Sequence, residues 1–476
     1  MGGLIWLTSF FVPGGAAKSG WYSYPPLSAF ADTGPGHNPV FNGETLWIIG
    51  FILIITSSLL GSVNFITTII QLRARGLTWM RLPFFVWTEL VTAFLLLLAF
   101  PPMESGLMMQ LMDRLARTSF FLPSGLVVNG APVNVSGGGS PLLWQHLWWF
   151  LGHPEVYVLI APAFGIVGEI LANNSRKPLW GYKSLVFSTL LLGFLSFLVW
   201  AHHMWLTGMG SAVTAFFQIT TIMISIPSVI IVTAFFISLW GGSIRFTVPM
   251  LFITAFLPMF GIGGLTGIPL AFSSADLYLH DTYYVIAHFH YMVAPGTVFA
   301  LFAGIYYWFP KATGRKMNDF WGKVHFWPTL VCMNMIFLPM FLQGMAGMHR
   351  RWYDGGQGWN VANDHTIWGL TGFQWNRPIS WAAWAMGLAQ IPFLVNFFWS
   401  IKHGEKVSDN PWDATTLEWC TSSPPPHGNF VSDVIVYRGP YDYSMRGAAA
   451  DFCPQCALIC NGEPANAPTA QTDTHT

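Results

Sequence analysis

Residues 142–171 read LLWQHLWWFLGHPEVYVLIAPAFGIVGEIL, thirty residues that contain two Glu but no Asp, Lys or Arg. A helix needs about 20 predominantly apolar residues to cross the hydrocarbon of a bilayer. Within a single segment only the α-helix satisfies every backbone N–H and C=O there, so this run predicts a membrane-spanning helix. Eight more runs have the same character, at roughly 45–72, 82–102, 182–205, 214–240, 246–268, 283–309, 323–345 and 378–401. The opening run, Gly3 to Val12, is about half the spanning length, and no cleavable signal peptide is expected ahead of the first span. Over the whole chain 53% of residues are hydrophobic, 16% aromatic and only 9% charged, against about 25% charged in a soluble domain. The predicted fold class is therefore an all-α polytopic membrane protein with about nine transmembrane helices. A formal net charge of zero gives no electrostatic reason to expect a nucleic-acid partner.

Nine alternations sort the Lys and Arg residues between two sides. Side A, the side of Arg73, Arg75 and Arg81, receives fifteen of the 21. Cytoplasmic loops carry the excess of positive charge, so side A is cytoplasmic, or matrix in a mitochondrion. The expected organisation is an extracytoplasmic segment at 1–44, a transmembrane catalytic domain at 45–403 and a polar cytoplasmic-side tail at 404–476. Gly- and Pro-rich loops on side B are expected near 103–141 and 346–377.

Ionisable and polar residues at bilayer depth are costly and mark function. Five histidines stand there: His153, His202, His203, His288 and His290. One could be a hydrogen-bonded core residue; five within three helices point to ligation. Imidazole suits copper and haem iron. At about 100° per residue, His288 and His290 project to opposite faces and cannot share a metal, but they can serve two centres on either side of one rod. His153 and Tyr157 are i, i+4 neighbours on one face, with Glu155 turned away from them. His153, His202 and His203 supply three imidazoles, enough for copper with one open position; ligand type alone leaves zinc open.

The strings WQHLWWFLGHPEVY (144–157), WAHHMW (200–205), LHDTYYVIAHFHYMVAPG (279–296), GMHRRW (347–352), NFITTI (64–69) and NPWDATTLEW…SSPPPHGNF (410–430) together resemble subunit I of the haem–copper oxidases, the cytochrome c and quinol oxidases. The resemblance covers nearly the whole chain and implies a terminal oxidase that reduces O₂ to water. By that resemblance, His153, His202 and His203 would ligate the copper called CuB. Tyr157 would be joined covalently to His153 and supply an electron and a proton for O–O cleavage. His288 would ligate the high-spin haem and His290 the low-spin haem, the haems being of type A, O or B. Glu155 would pass protons inward, with Ser58, Asn64 and Thr68 along the pathway. Arg350 and Arg351 would pair with haem propionates, for which guanidinium forks are suited, and His280 with Asp281 would hold Mg²⁺ or Mn²⁺. The implied partners are an oxidase subunit II, dicopper-bearing or of the quinol type, a subunit III, and cytochrome c or quinol as donor. The implied location is the bacterial plasma membrane, with the mitochondrial inner membrane as the alternative.

Several features depart from the family pattern. The family core has twelve helices, and the chain matches the fourth to the twelfth. The missing second helix would carry the other axial His of the low-spin haem, and neither His37 nor His325 is placed to replace it. A separate chain supplying those helices and that ligand is therefore expected. In IPSVII (226–231), Ser228 matches a Thr of the family's second proton route but Ile231 stands where a Lys is usual. Glu89, inside the second span, is either a hydrogen-bonded structural carboxyl or part of a replacement route. The five cysteines, Cys332, Cys420, Cys453, Cys456 and Cys460, make no disulfide framework. Cys453-Pro-Gln-Cys456 with Cys460 could bind a metal but has no clear fourth ligand, and disulfides are not expected in a tail on a reducing side A. Two other readings compete: a nitric oxide reductase of the same superfamily, a branch that usually lacks the His153/Tyr157 pair, and a non-redox transporter or assembly subunit.

Overall fold

The computed structural model describes residues 1–30, 38–128, 130–135, 137–352, 354, 356, 366–367, 370–448 and 450–460. His37 lies outside them. Among the described residues nine helical segments are long and apolar enough to span a bilayer, matching the expected number. Among the described residues, named strands are confined to three two-stranded ribbons with two residues per strand. In chain order the helices are α1 (Gly2–Thr8), α2 (Gly43–Gln71), α3 (Phe84–Leu115), α4 (Pro141–Ser175), α5 (Tyr182–Ser196), α6 (Ser211–Leu239), α7 (Val248–Leu270), α8 (Ser273–Leu279), α9 (Tyr283–Val293), α10 (Phe299–Thr313), α11 (Asp319–Met345) and α12 (Gly372–His403). Side-chain oxygens start three of them: Thr247 accepts the Met250 N–H, Thr282 that of Tyr284, and Asn318 that of Trp321, satisfying donors that a helix start leaves open.

Three boundaries differ from the sequence reading. The second span does not end at 102: α3 passes Pro101 and Pro102 and continues to Leu115. Met103, Leu107, Gln110 and Arg114 are all buried, a helical spacing that keeps one face covered beyond the prolines. The 182–205 span is not one α-helix. It stops at Ser196 and resumes as a 3₁₀ segment, Trp200–Thr207, with Met204 off helical geometry and a left-handed Gly208 behind it. Third, the 283–309 span is interrupted by a π-turn at Ala294–Val298. Pro295 has no N–H to donate into the helix ladder, and such turns cluster at functional sites.

The chain divides into two compact units. The first comprises Met1–Ile70, Leu90–Val158 and Gly193–Met223. Its core is aromatic, with Trp144, Trp148, Trp149 and Trp205 buried together. Gly2 lets α1 lie on α2, since a Cβ there would fall 2.6 Å from the Gly50 carbonyl oxygen. The second unit comprises Gln71–Glu89, Leu159–Leu192 and Ile224–Thr476. There α9 is sandwiched between α7 and α11. A Cβ on Gly263 would fall 3.0 Å from the Tyr291 carbonyl carbon, and one on Gly344 would fall 1.9 Å from the Tyr284 nitrogen. Small residues are how packed spanning helices approach closely.

The tail is docked rather than loose. Arg176, 2% exposed, makes two hydrogen bonds to Asp451, of 2.8 and 2.6 Å. Tyr441 donates to Glu169 of α4 at 2.7 Å and accepts the Phe84 N–H at 2.8 Å. Burial, then the neighbouring Glu169 carboxylate, pushes the Tyr441 phenol well above its ordinary value, so it stays a donor. The cysteines correct the sequence reading in two ways. Cys420 supplies a fourth sulfur, and the four stand as two close pairs, Cys420 facing Cys456 and Cys453 facing Cys460, where neither a fourth partner nor any pairing was expected.

Candidate metal and haem sites

In the first unit, α4 carries His153 and the 3₁₀ segment carries His202 and His203. The His203 Nε2 lies 3.2 Å from His153 Nδ1 and 3.1 Å from His202 Nε2. Three ring nitrogens, one from each of these histidines, lie within 4.8 Å of one another and are placed to hold a metal ion. Nitrogens about 3.2 Å apart are also the edge of a tetrahedral site with metal–nitrogen bonds of about 2.0 Å. Neighbours fix the ring orientations. Thr221 donates its hydroxyl proton to the Phe217 carbonyl at 2.5 Å, so His202 Nδ1, 3.0 Å from the same oxygen, must be the donor there. That leaves the His202 Nε2 lone pair facing the triad, as a second-shell partner arranges for a metal-bound imidazole. Trp149 stacks on His203 with centroids 4.1 Å apart. His153 Nε2 is buried without a hydrogen-bond partner, and the Tyr157 ring lies 4.9 Å from the His153 ring. Both rings belong to one helix face, and Glu155 projects from another.

In the second unit, His288 and His290 leave α9 in opposite directions. His288 Nδ1 is 2.9 Å from the Gly263 carbonyl of α7. A carbonyl only accepts, so Nδ1 carries the proton and Nε2 keeps its lone pair for an axial bond. His290 Nδ1 donates to Ile286 at 2.8 Å, which likewise frees its Nε2, and its ring stacks at 4.3 Å on Phe337 of α11. Gly267 makes room for His288: a Cβ there would fall 2.7 Å from Cε1 of the imidazole. This donor set would suit two separate haem irons, one held by His288 and one by His290.

The start of α9 meets the loop bearing Arg350 and Arg351, with Thr282 bridging His349. Asp281 Oδ1 lies 2.9 Å from Arg350 Nε and 2.9 Å from Arg351 Nη1. Burial alone would raise the Asp281 carboxyl, but the two guanidiniums and His280 outweigh it and hold it below the usual carboxylate range. His280 pairs with Asp276 at 3.1 Å and faces Asp281 Oδ2 at 3.9 Å. Asp281 and Arg351 both have positive φ, local strain of the kind that collects at functional sites. The two residues expected to bind Mg²⁺ or Mn²⁺ thus offer one ring nitrogen and one carboxylate oxygen.

A profile of the family described as "Cytochrome C and Quinol oxidase polypeptide I" matches residues 1–398. The chain belongs to that family. The alternative cytochrome c oxidase subunit 1 of Bradyrhizobium diazoefficiens is 43% identical over 455 residues, covering 95% of this chain and 75% of the relative. Cytochrome c oxidase subunit 1 of Synechocystis is 41% identical over 447 residues, 93% and 74% of the two chains. That of Bacillus subtilis is 40% identical over 432 residues, 90% and 64%. A solved structure, described as a cryo-EM structure of a heme-copper terminal oxidase dimer, superposes with TM-score 0.67 at 20% identity, over 85% of this chain and 68% of the other; it shows likeness of fold. The chain is thus a haem–copper oxidase subunit I, an integral membrane component of a terminal oxidase, with haem and copper as the cofactors that membership implies.

The structure also shows contacts that the sequence reading passed over. Glu169, in the middle of an apolar run, accepts from Tyr441 and from the Phe85 N–H at 3.1 Å. A lone carboxylate inside a span was the available signal. Nothing local marks Thr221 or Gly267, whose roles depend on residues far away in the chain.

Proposed function

We propose that this chain reduces O₂ to water, with electrons from cytochrome c or quinol, and that proton translocation accompanies the reaction. In this reading His153 Nδ1, His202 Nε2 and His203 Nε2 hold CuB, His288 Nε2 holds the high-spin haem and His290 Nε2 the low-spin haem. When bound, the haems and copper supply the redox chemistry. The observation that carries the reading is the convergence of three ring nitrogens whose neighbours leave lone pairs turned inward. Tyr157, beside the unpartnered His153 Nε2, is the group proposed to be joined to that nitrogen and to deliver a proton and an electron from its phenol. Arg350 and Arg351 hold propionates on side B. Asp281 Oδ2 and His280 Nε2 are proposed as two ligands of Mg²⁺ or Mn²⁺, an ion that takes about six oxygen-rich ligands, the remainder coming from water or subunit II. A reduced-minus-oxidised spectrum with and without CO, together with metal analysis, tests the assignment. Two haems, one of them CO-reactive, and copper at the triad are expected; non-haem iron instead of copper would favour a nitric oxide reductase, and no CO-reactive haem a non-redox role.

Protons are proposed to enter from side A and reach the Glu155 carboxyl by way of Ser58, Asn64 and Thr68. Asn64 and Thr68 sit on exposed positions of a spanning helix and, among the described residues, their side chains bond to each other, at 3.4 Å. Polar groups left facing lipid are costly, which supports a covering helix there, one that would also bring the second ligand of the low-spin haem. Partner subunits II and III complete the complex in a bacterial plasma membrane. The second proton route is proposed to differ from its usual form: Ile231 is fully buried and Ser228 donates back to Ile224 at 3.3 Å, whereas Glu89 lies half-buried one turn inward of Phe85. Glu89→Gln is expected to slow turnover and reduction of the high-spin haem at least about tenfold; unchanged rates in a stopped-flow measurement would remove Glu89 from the route.

Gly267→Ala provides a separate check on His288. The added methyl meets the imidazole at 2.7 Å, an overpacking of about 1–3 kcal/mol. Loss or shift of the CO-reactive band is expected, with the low-spin band retained because His290 faces α11.

A further inference from the structure

We propose that the tail carries a structural zinc ion held by the four thiolates of Cys420, Cys453, Cys456 and Cys460. The geometry begins with a short loop. Cys453 and Cys456 are separated by Pro-Gln, and Cys456 sits within the turn Pro454–Ala457, in which the Ala457 N–H donates to Pro454 O at 3.0 Å. A C-x₂-C turn is the usual half of a zinc site, and a second pair of sulfurs completes a tetrahedron. That second pair is present. Cys420, at the end of the 3₁₀ turn Leu417–Cys420, faces Cys456 with Cα atoms 6.5 Å apart, and Cys460 faces Cys453 at 6.0 Å. The C-x₂-C turn joins the two pairs.

The surroundings hold this cluster firmly. Cys453 is 1% exposed and Gln455 0%. Cys453 N–H donates to Asp442 O at 2.9 Å, and Gln455 N–H to Thr415 O at 2.8 Å. The Gln455 side chain donates to the Arg81 carbonyl at 2.8 Å, just before α3. All four sulfurs lie outside the spans, while the fifth cysteine, Cys332, is buried within α11.

Chemistry decides between the two ways four adjacent thiols can be satisfied. Pairing them as two disulfides removes two electrons and two protons per pair and needs an oxidant. Zinc needs none: it displaces the thiol protons and changes no oxidation state. The excess of Lys and Arg puts the tail on the cytoplasmic side, where thiols are kept reduced and such spacings indicate metal rather than disulfides. The ion would clip together the residues 415–420 and 453–460, and so hold Tyr441 and Asp451 against α4. This inference depends on the tail's side of the membrane and not on the oxygen chemistry.

The test uses the intact complex, purified without reductant or added metal. One tail-bound zinc per chain is expected, released on titration with a mercurial, together with five reactive thiols in denaturant containing chelator, the full cysteine count. Cys456→Ser with Cys460→Ser should remove that zinc, leave haem and copper content unchanged, and open the tail to cleavage by trypsin at Arg438 and Arg446; a zinc belonging to a partner subunit would survive in the variant. A single reactive thiol and no zinc would show two disulfides and overturn the proposal. Five reactive thiols without zinc would overturn it as well. Both outcomes are read on the unsubstituted protein, so a variant that fails to fold does not leave the matter open.

Discussion

Tyr157→Phe is expected to lower oxygen consumption at least about a hundredfold while both haems and copper remain at wild-type levels. The substitution deletes one oxygen atom and leaves the ring that lies 4.9 Å from His153. The packing of α4 therefore persists, and only the phenol is lost. A phenol can yield a proton and an electron together; a phenyl ring can yield neither. Oxygen-electrode rates paired with reduced-minus-oxidised spectra separate the two consequences. Substantial turnover with normal spectra would remove Tyr157 from the chemistry.

His203→Ala is expected to have the second large effect, this time on composition. His203 Nε2 is the nitrogen that contacts both of the others, at 3.2 and 3.1 Å. Its loss leaves two imidazoles, His153 and His202, and costs the stack on Trp149. Removing a second-shell partner already lowers metal affinity about 10–100-fold, so loss of a ligand should leave copper well below stoichiometric. Haem at His288 and His290 should persist, because their hydrogen bonds run to Gly263 and Ile286 in the other unit. Copper retained at one per chain would mean that the triad is a hydrogen-bonded histidine cluster.

The spans were the most legible part of the fold, because a run such as 142–171 leaves the backbone no alternative to helix at bilayer depth. Helix ends were harder. Pro101-Pro102 looks like a stop, yet α3 continues because Met103, Leu107, Gln110 and Arg114 give it a covered face. The break before His202 carries no local mark in the sequence, whereas the π-turn after His290 falls on Pro295, which lacks an N–H for the helix ladder. Ligand types and spacing marked the five histidines, and helical periodicity alone showed that His288 and His290 must diverge. Their orientation was not legible. It depends on Thr221, Gly263, Phe337 and Gly267, which are ordinary residues until the fold brings them to an imidazole. The same holds for Cys420, thirty-three positions before Cys453, which only tertiary structure could join to the C-x₂-C turn.

The triad's occupant can be read directly by anomalous diffraction from crystals of the whole complex, with data on both sides of the copper absorption edge. A copper peak within bonding distance of His153 Nδ1, His202 Nε2 and His203 Nε2 is expected, with iron peaks beside His288 Nε2 and His290 Nε2. A triad with no copper signal, or one that holds iron or zinc instead, would contradict the assignment.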